Sequence, residues 1–218
     1  MFQSRSLLAM STIFKKGYPQ HNLHIQERPC QEIHKLAETF QLASHFSSTF
    51  EKQRQPWRTT SHHLFLAKQG SRCAGFAGIE IGYGAIIQAY LGQHQQNVLA
   101  PREKVCFVHA IEVAANFRGR GIQDYFWQHL SRYSLDHKIN AIVLEPIHSS
   151  TYMHYFLKMG IEPKQHSFSR AIHLGLRSHA QIRYGEEEMN IIHLTQQDIQ
   201  VAHDFLRNTT SNRIGLRL

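Results

Sequence analysis

The sequence predicts an α/β (α+β) fold in which helices flank a mixed sheet. Segments with strand periodicity and segments with helical periodicity follow one another along the 218 residues, an order typical of this class. The run Ala141–Leu144 is apolar at every position, as expected of a strand covered on both faces. Another apolar strand, 105–113, leads through a glycine-containing turn directly into a helical pattern.

The elements of the first half are predicted from their periodicity. Alternation of apolar and polar residues indicates strands, and an apolar stripe at helical spacing indicates a helix. The predicted elements are a strand at 22–26, one or two helices within 32–50, strands at 63–67 and 74–81 with an extension through 85–87, a hairpin turn at 69–72, and a polar loop or flap at 91–104.

The second half continues with the central strand 105–113 and the helix behind it, 121–137. The residues expected on the buried side of that helix are Ile122, Tyr125, Phe126, Leu130, Tyr133 and Leu135. The remaining predicted elements are the strand 141–144, a short helix at 152–159, strands at 162–168 and 171–176, and a strand followed by a helix from residue 190. We interpret this last segment as an appendage that packs on the sheet edge or swaps into a dimer partner.

Charge and composition narrow the range of partners. The formal net charge is +8 with the histidines neutral, so anionic partners are favoured. The basic residues are spread along the chain, which indicates a solvated surface rather than a nucleic-acid footprint. The most apolar window, 73–91, contains Glu80, Gln88 and several glycines, and it therefore indicates sheet rather than a membrane-spanning helix.

Cysteine and histidine usage predicts neither a disulfide framework nor a metal site. The three cysteines, Cys30, Cys73 and Cys106, are far apart, which favours a reducing compartment and a cytoplasmic location. The 17 histidines do not follow metal-ligand spacing, since His62 and His63 are adjacent and no H-E-x-x-H pattern occurs.

The segment 113–122 is the strongest functional signal. An apolar strand runs into a basic turn with two glycines, and a helix opens behind it, so several backbone N–H groups point towards the positive end of a helix dipole. This arrangement suits a phosphate or pyrophosphate, and Arg118 and Arg120 add cationic donors. The spacing matches neither G-x-G-x-x-G nor the phosphate-loop pattern G-x-x-x-x-G-K-[ST].

Three segments resemble the GNAT superfamily of N-acetyltransferases. Ile111-Glu112-Val113 followed by Arg118-Gly119-Arg120-Gly121-Ile122-Gln123 resembles its acyl-CoA loop, although Gln123 stands where the family has Gly or Ala. The segment Tyr155-Phe156-Leu157-Lys158-Met159-Gly160-Ile161 resembles its second helix-to-strand junction, and residues 67–77 resemble its central hairpin. The three matches occur in the family's order and span most of the chain.

The resemblance implies a mostly antiparallel mixed sheet with splayed central strands, in a domain at 20–178 between a lead at 1–19 and the appendage at 179–218. It also implies acetyl-CoA or another acyl-CoA as cosubstrate and no metal. The backbone of Ile111 and Val113 would pair with the pantetheine, with the Val113 N–H as a donor to the oxyanion. The residues expected around the pyrophosphate are Arg118, Gly119, Arg120, Gly121, Ile122 and Gln123.

For the catalytic base the resemblance offers His109 and Glu112. His109 stands four residues before Val113, the offset of a catalytic histidine in arylalkylamine N-acetyltransferases, whereas many relatives use a glutamate on this strand. Strand alternation predicts His109, Ile111 and Val113 on one face and Glu112 on the other, unless a bulge intervenes. The family's usual tyrosine acid is replaced by Phe156, and Tyr152, one helical turn earlier, is the candidate in its place.

The resulting interpretation is an acyl-CoA-dependent N-acyltransferase, in which a small-molecule or peptide amine attacks the thioester directly. Two alternatives stay open at this point. One is a catalytically silent module that binds CoA or acyl-CoA for regulation. The other is a transferase that takes a long-chain acyl-CoA or an acyl-carrier protein as donor.

Overall fold

The computed structural model describes residues 23–29, 60–91, 98–144, 149–177 and 181–215. The strands in this part of the chain are β1 Leu23–Arg28, β2 Ser61–Gln69, β3 Arg72–Tyr83, β4 Lys104–Val113, β5 Ala141–Leu144, β6 Lys164–Arg177 and β7 Gln181–Thr195. The helices are α1 Gly84–Leu91, α2 Ile122–Asp136, α3 Ser149–Leu157 and α4 Gln196–Gly215, with a short 3-10 turn at Ala115–Phe117.

All seven strands belong to one sheet with the order β1-β2-β3-β4-β5-β7-β6. Only β4 and β5 pair in parallel, and the other neighbours pair antiparallel. The predicted mixed, mostly antiparallel sheet flanked by helices is therefore confirmed. The predicted helices within 32–50 and the lead at 1–19 lie outside the described residues.

The sheet buries a hydrophobic core on each face. On one face Cys106 and Val108 of β4 pack in a cluster that includes Phe126 of α2 and Leu206 of α4. On the other face Val105 and Phe107 belong to a smaller cluster with Ile87 and Leu91 of α1. Successive residues of β4 thus face opposite cores, as the pleat of a strand requires.

The helix after the central strand follows its prediction closely. Of the residues expected on its buried side, Ile122, Phe126 and Leu130 are buried, while the rest are half-buried (Tyr125, Tyr133 and Leu135). Trp127, at 1% exposure, is also buried, and its ring lies 5.0 Å from that of Phe156 in α3. At the end of α3, Gly160 adopts φ +79°, the left-handed conformation expected after a helix.

Residues 85–87 are helical, so the predicted extension of the third strand is wrong. They belong to α1, in which Ile87 and Leu91, four residues apart, are both buried, and this is the spacing of a helix face. The helix starts where Gly84 N–H donates to the carbonyl oxygen of Glu103 at 2.9 Å. A Cβ at Gly84 would collide with the backbone oxygen of Ala100, so the turn into α1 depends on glycine.

The appendage interpretation expected the C-terminal strand to pack on the sheet edge, and this expectation is wrong. β7 is inserted between β5 and β6, and Ile191, Ile192 and Leu194 are almost completely buried. Burial of neighbouring residues on both sides of the strand is typical of a strand covered on both faces. The two strands predicted at 162–168 and 171–176 are one strand, β6, which runs along β7.

No helix in the described part of the chain is both long enough and apolar enough to cross a membrane.

His193 of β7 makes the stability of the fold sensitive to acid. Burial lowers the pKa of His193 from 6.5 to about 4, with support from the positive charges of His166 and Lys164 and opposition from Asp198. The native state therefore keeps this histidine neutral, while the unfolded chain takes up a proton below about pH 6.5. The stability that His193 contributes is present above pH 6.5 and is lost as the pH falls towards 4.

We expect His193→Asn to flatten the fall in stability between pH 6.5 and pH 4, as measured by urea midpoints across that window. His154→Asn, at an exposed position of α3, is the matched control and should keep the slope of the wild type. A His193→Asn slope equal to that of the wild type would contradict the assignment.

Candidate functional site

The site lies at the end of β4, past its described pairing with β5. Val105 to Val108 of β4 pair with Ala141 to Leu144 of β5, and Leu144 is the last described residue of that strand. Beyond this point the described strands pair with β4 only through β3. The half of β4 that contains Ile111 and Val113 is therefore the half at which a ligand could add to the sheet by backbone hydrogen bonds.

The loop after β4 is anchored at both ends. Ala114 N–H donates to the carbonyl oxygen of Ala74 at 2.9 Å, which prolongs the pairing with β3, and the buried side chain of Phe117 fixes the 3-10 turn in the core. Gly119 and Gly121 then adopt φ values of +73° and +77°. For other L-residues this left-handed conformation costs about 1–2 kcal/mol each, so the two glycines set the course of the loop.

Helix α2 begins at Ile122 with Gly121 as its N-cap. Because glycine has no side chain to accept from the first-turn N–H groups, the helix start is suited to an external acceptor. The side chain of Ile122 is buried, so this residue offers its backbone to a ligand. The half-buried Gln123 follows it in the first turn.

The two arginines of the loop are exposed. Arg118 Nε donates to the carbonyl oxygen of Val113 across 3.4 Å, a long contact. The guanidinium of Arg120 lies 5.2 Å from the ring centre of Phe117, within the range of a cation–π interaction. Both cations thus stand beside the strand end and the helix start, where they add positive charge to that of the helix dipole.

A β-bulge in β4 decides where the catalytic candidates face. Gly78 of β3 pairs with Ala110 and the next residue, Ile79, pairs with Val108. His109 is consequently an extra residue in β4, and such an insertion resets the alternation of side chains.

The bulge makes the predicted facing of these residues wrong. Ile111 and Val113 pack against the core on the α2 side, whereas the ring of His109 lies 4.6 Å from that of Phe107 in the opposite core. Glu112 pairs with Phe76, which shares its face of β3 with Glu80, four residues on. His109 and Glu112 therefore lie on the same face of the sheet.

His109 is held by a buried carboxylate that the sequence did not reveal. Its Nε2 lies 3.2 Å from Oε2 of Glu80, and Nε2 of His62 lies 3.5 Å from the same oxygen. The Glu80 side chain is completely buried. Burial acts to raise the pKa of Glu80, but hydrogen bonds and charge from His109 and His62 outweigh it and lower that pKa.

The sequence contains no signal for this cluster, since the residues come from β2, β3 and β4 and are 18 and 29 positions apart. Strand register brings them together. His62 is paired with Glu80 across β2 and β3, and Glu80 is paired with Phe107, two residues before His109 on β4. A proton on Nε2 of His109 would be donated to Glu80, and Nδ1 would then carry the lone pair.

Glu112, near the end of β4, interacts electrostatically with Tyr152 of α3. Burial raises the pKa of Glu112, and the charge of Arg118 opposes this shift. Burial, with a further contribution from the charge of Glu112, raises the pKa of Tyr152 to about 12. The hydroxyl of Tyr155 instead donates to Asp124 at 3.0 Å and so ties α3 to α2.

A model of the acetyltransferase (GNAT) family matches residues 30–161. The match covers more than half of the chain and includes the bulged strand, the loop and the junction at Gly160. The chain therefore belongs to the GNAT acetyltransferase family.

Solved structures of acetyltransferases resemble the chain at low sequence identity. Arabidopsis thaliana NAA60, solved in complex with acetyl-CoA, is 12% identical with a TM-score of 0.47, over 79% of this chain and 99% of that one. An IAA acetyltransferase from Bacillus cereus is 14% identical with a TM-score of 0.46, over 79% and 99%. The spermidine/spermine N-acetyltransferase SpeG from Vibrio cholerae is 12% identical with a TM-score of 0.45, over 83% and 97%. No curated protein matches the sequence.

Proposed function

We propose that the protein transfers an acyl group from acyl-CoA, with acetyl-CoA as the expected donor, to an amine that attacks the thioester directly. The observation that carries this proposal is the family match across residues 30–161. The two left-handed glycines before α2 support it, because they shape a loop suited to a pyrophosphate.

The donor would bind along the strand and across the loop. The pantetheine amides would pair with the backbone of Ile111 and Val113, beyond the last described residue of β5. The pyrophosphate would accept from N–H groups between Gly119 and Gln123, beside Arg118 and Arg120. The Val113 N–H is the proposed donor to the oxyanion of the tetrahedral intermediate.

His109 is the proposed base that takes the proton from the attacking amine. A general base is effective when a further group fixes its ring and tautomer, and the contact between His109 and the buried Glu80 has that form. Glu112 is the rival, since it lies on the same face of β4 and burial raises its pKa, which makes it a stronger base than an exposed glutamate.

The departing thiolate would receive a hydrogen bond from Tyr152 rather than its proton. The pKa of Tyr152 is raised to about 12, and that of a free thiol is about 8.5. Proton transfer from the phenol to the thiolate is therefore uphill by about 3–4 units of pKa, or roughly 5 kcal/mol. A thiolate is a fair leaving group and does not need that proton during bond cleavage.

Arg118→Glu should weaken acetyl-CoA binding, measured by calorimetry, by about tenfold or more, because a negative charge would face the pyrophosphate. Arg132→Glu is the matched control. This exposed arginine lies near the far end of α2, beside Asp136, and its replacement should leave the affinity unchanged. Equal affinities of the two variants would count against the loop as the donor site.

Binding and thiol release, measured on the wild type, also distinguish the classes of acyl donor. Tight binding of acetyl-CoA with thiol release on a panel of primary amines and peptides supports the transferase. A preference for long-chain acyl-CoA, or turnover only with an acyl-carrier protein, changes the donor but not the chemistry. Binding without turnover on every acceptor would instead favour the silent regulatory module.

His109→Gln should lower kcat by about 10²–10⁴-fold, the usual contribution of a general base, with little change in the KM for the acyl-CoA. The rise in kcat with pH that a titrating imidazole produces should disappear at the same time. Glu112→Gln is the matched variant on the same face of β4. If Glu112→Gln loses the pH-dependent limb and His109→Gln keeps it, the assignment of the base is reversed.

Tyr152→Phe should lower kcat by only about 2–10-fold, the value of one neutral hydrogen bond of about 0.5–1.5 kcal/mol. Single-turnover rates of thiol release measure this step. A loss of 10²-fold or more would show that Tyr152 acts as a true proton donor.

A further inference from the structure

The cluster of His62, Glu80 and His109 has a geometry that acid–base chemistry alone does not require. The three side chains come from neighbouring strands, and their donor atoms all lie within 4.8 Å of one another. Both histidines direct Nε2 at one oxygen of Glu80, at 3.5 Å and 3.2 Å. Two imidazoles and one carboxylate that converge on a single point form a common set of protein ligands for transition metals.

The two distances from Glu80 Oε2 fit a hydrogen-bonded cluster and a ligand set alike. At 3.2 Å the contact with His109 is within the range of an ordinary N–H···O hydrogen bond. A tetrahedral ion with bonds of about 2.0–2.1 Å separates its ligand atoms by about 3.3–3.4 Å, and the observed values of 3.2 Å and 3.5 Å lie on either side of this spacing.

We propose that His62, Glu80 and His109 form a binding site for one divalent transition-metal ion, with Zn²⁺ as the best-fitting ion. Imidazole nitrogen is a ligand that Zn²⁺ prefers and that Ca²⁺ and Mg²⁺ do not. Three protein ligands leave the fourth tetrahedral position for water. The carboxylate supplies one negative charge where the side chain is shielded from solvent, so part of the ion's charge is neutralised by the protein.

An ion can reach this position because the cluster is not sealed. The side chains of His62 and His109 keep 11% and 5% of their surface exposed, while Glu80 is fully covered. The histidines therefore form the outer side of the site and the carboxylate its floor. Such a site is loaded from the side of the two histidines.

Metal binding and base catalysis by His109 exclude each other. A neutral imidazole has one protonated nitrogen and one nitrogen with a lone pair. If Nε2 donates its lone pair to the metal, the proton resides on Nδ1, and His109 then has no lone pair with which to accept a proton from an amine. Occupancy would therefore switch the transferase off, and this inhibitory consequence rests on the proposed function, whereas the metal site itself does not.

The test uses the full chain after treatment with a chelator. Co²⁺ is added as a spectroscopic substitute for Zn²⁺, and the absorption of tetrahedral Co²⁺ is followed to saturation. We expect one equivalent per chain in the wild type, displaced by Zn²⁺. Zn²⁺ affinity, measured by competition with a chromophoric chelator, should fall at least about 10–100-fold in Glu80→Gln, since loss of an outer-shell partner alone has an effect of that size.

His63→Gln is the matched control for His62→Gln. His63 is the next residue on β2, but it points to the other face, where Nδ1 contacts Glu27 at 2.6 Å. The control should bind metal like the wild type, and His62→Gln should not. If circular dichroism shows that Glu80→Gln is unfolded, the variant at the half-buried His62 tests the proposal in its place. Equal metal binding by the wild type and His62→Gln, or a wild type without the tetrahedral spectrum, would overturn the proposal.

A second measurement addresses inhibition separately. One equivalent of Zn²⁺ should abolish acyl transfer by the wild type and by His63→Gln but not residual transfer by His62→Gln. Full turnover by the zinc-loaded wild type would overturn the inhibitory role of the ion. A chain that binds Co²⁺ but acetylates no amine would remove the proposed function and leave the metal site standing, so the two failures can be told apart.

Discussion

The extra residue in β4 is the constraint on which the site depends. Without it, period-two alternation from Val105 and Phe107 would leave Ile111 and Val113 on the face of His109 and turn Glu112 into the core beneath α2. The bulge instead keeps His109 on the face of Glu80 and moves the apolar residues after it into contact with α2. One inserted residue thus allows a single strand to anchor the hydrophobic core and also to carry two ionisable groups on its other face.

Burial of a carboxylate is tolerated here because two histidines share it. A buried charge without partners costs several kcal/mol. Glu80 avoids this cost because its carboxylate contacts histidines from the strands on both sides. The same contacts restrict the orientation of the His109 ring. Stability of the sheet and orientation of the proposed base therefore depend on the same three side chains.

Much of the fold could be predicted from the sequence because the signals are local. The hairpin turn at Gly70, the apolar run of β5 and the glycines before α2 each act within a few residues, and the family match at 30–161 includes all three. Residues 85–87 misled the prediction because a short apolar run fits a strand as well as a buried helix, and only packing against the rest of the core decides between them.

Only the part of the candidate site that is contiguous in the sequence could be predicted. The loop from Arg118 to Gln123 is contiguous, and its glycine pattern is legible in the sequence. The cluster around Glu80 depends on the register of three strands, and the facing of Glu112 depends on a bulge, neither of which leaves a pattern in one sequence. Long-range pairing also explains why the position of β7 was not predicted. Its apolar residues fit an edge strand or a central strand equally well until its neighbours are known.

The position of β7 has a consequence for synthesis of the chain. β5, in the middle of the sheet, has one neighbour that precedes it and one, β7, that is separated from it by 36 residues of the chain. On a ribosome the edge of β5 therefore stays without this neighbour until the C-terminal region has emerged. Pairings between such distant segments slow folding and prolong exposure of apolar strand edges. The nascent chain thus reaches its protected form only after β7 has been synthesised, and a premature stop before β7 would release an aggregation-prone sheet.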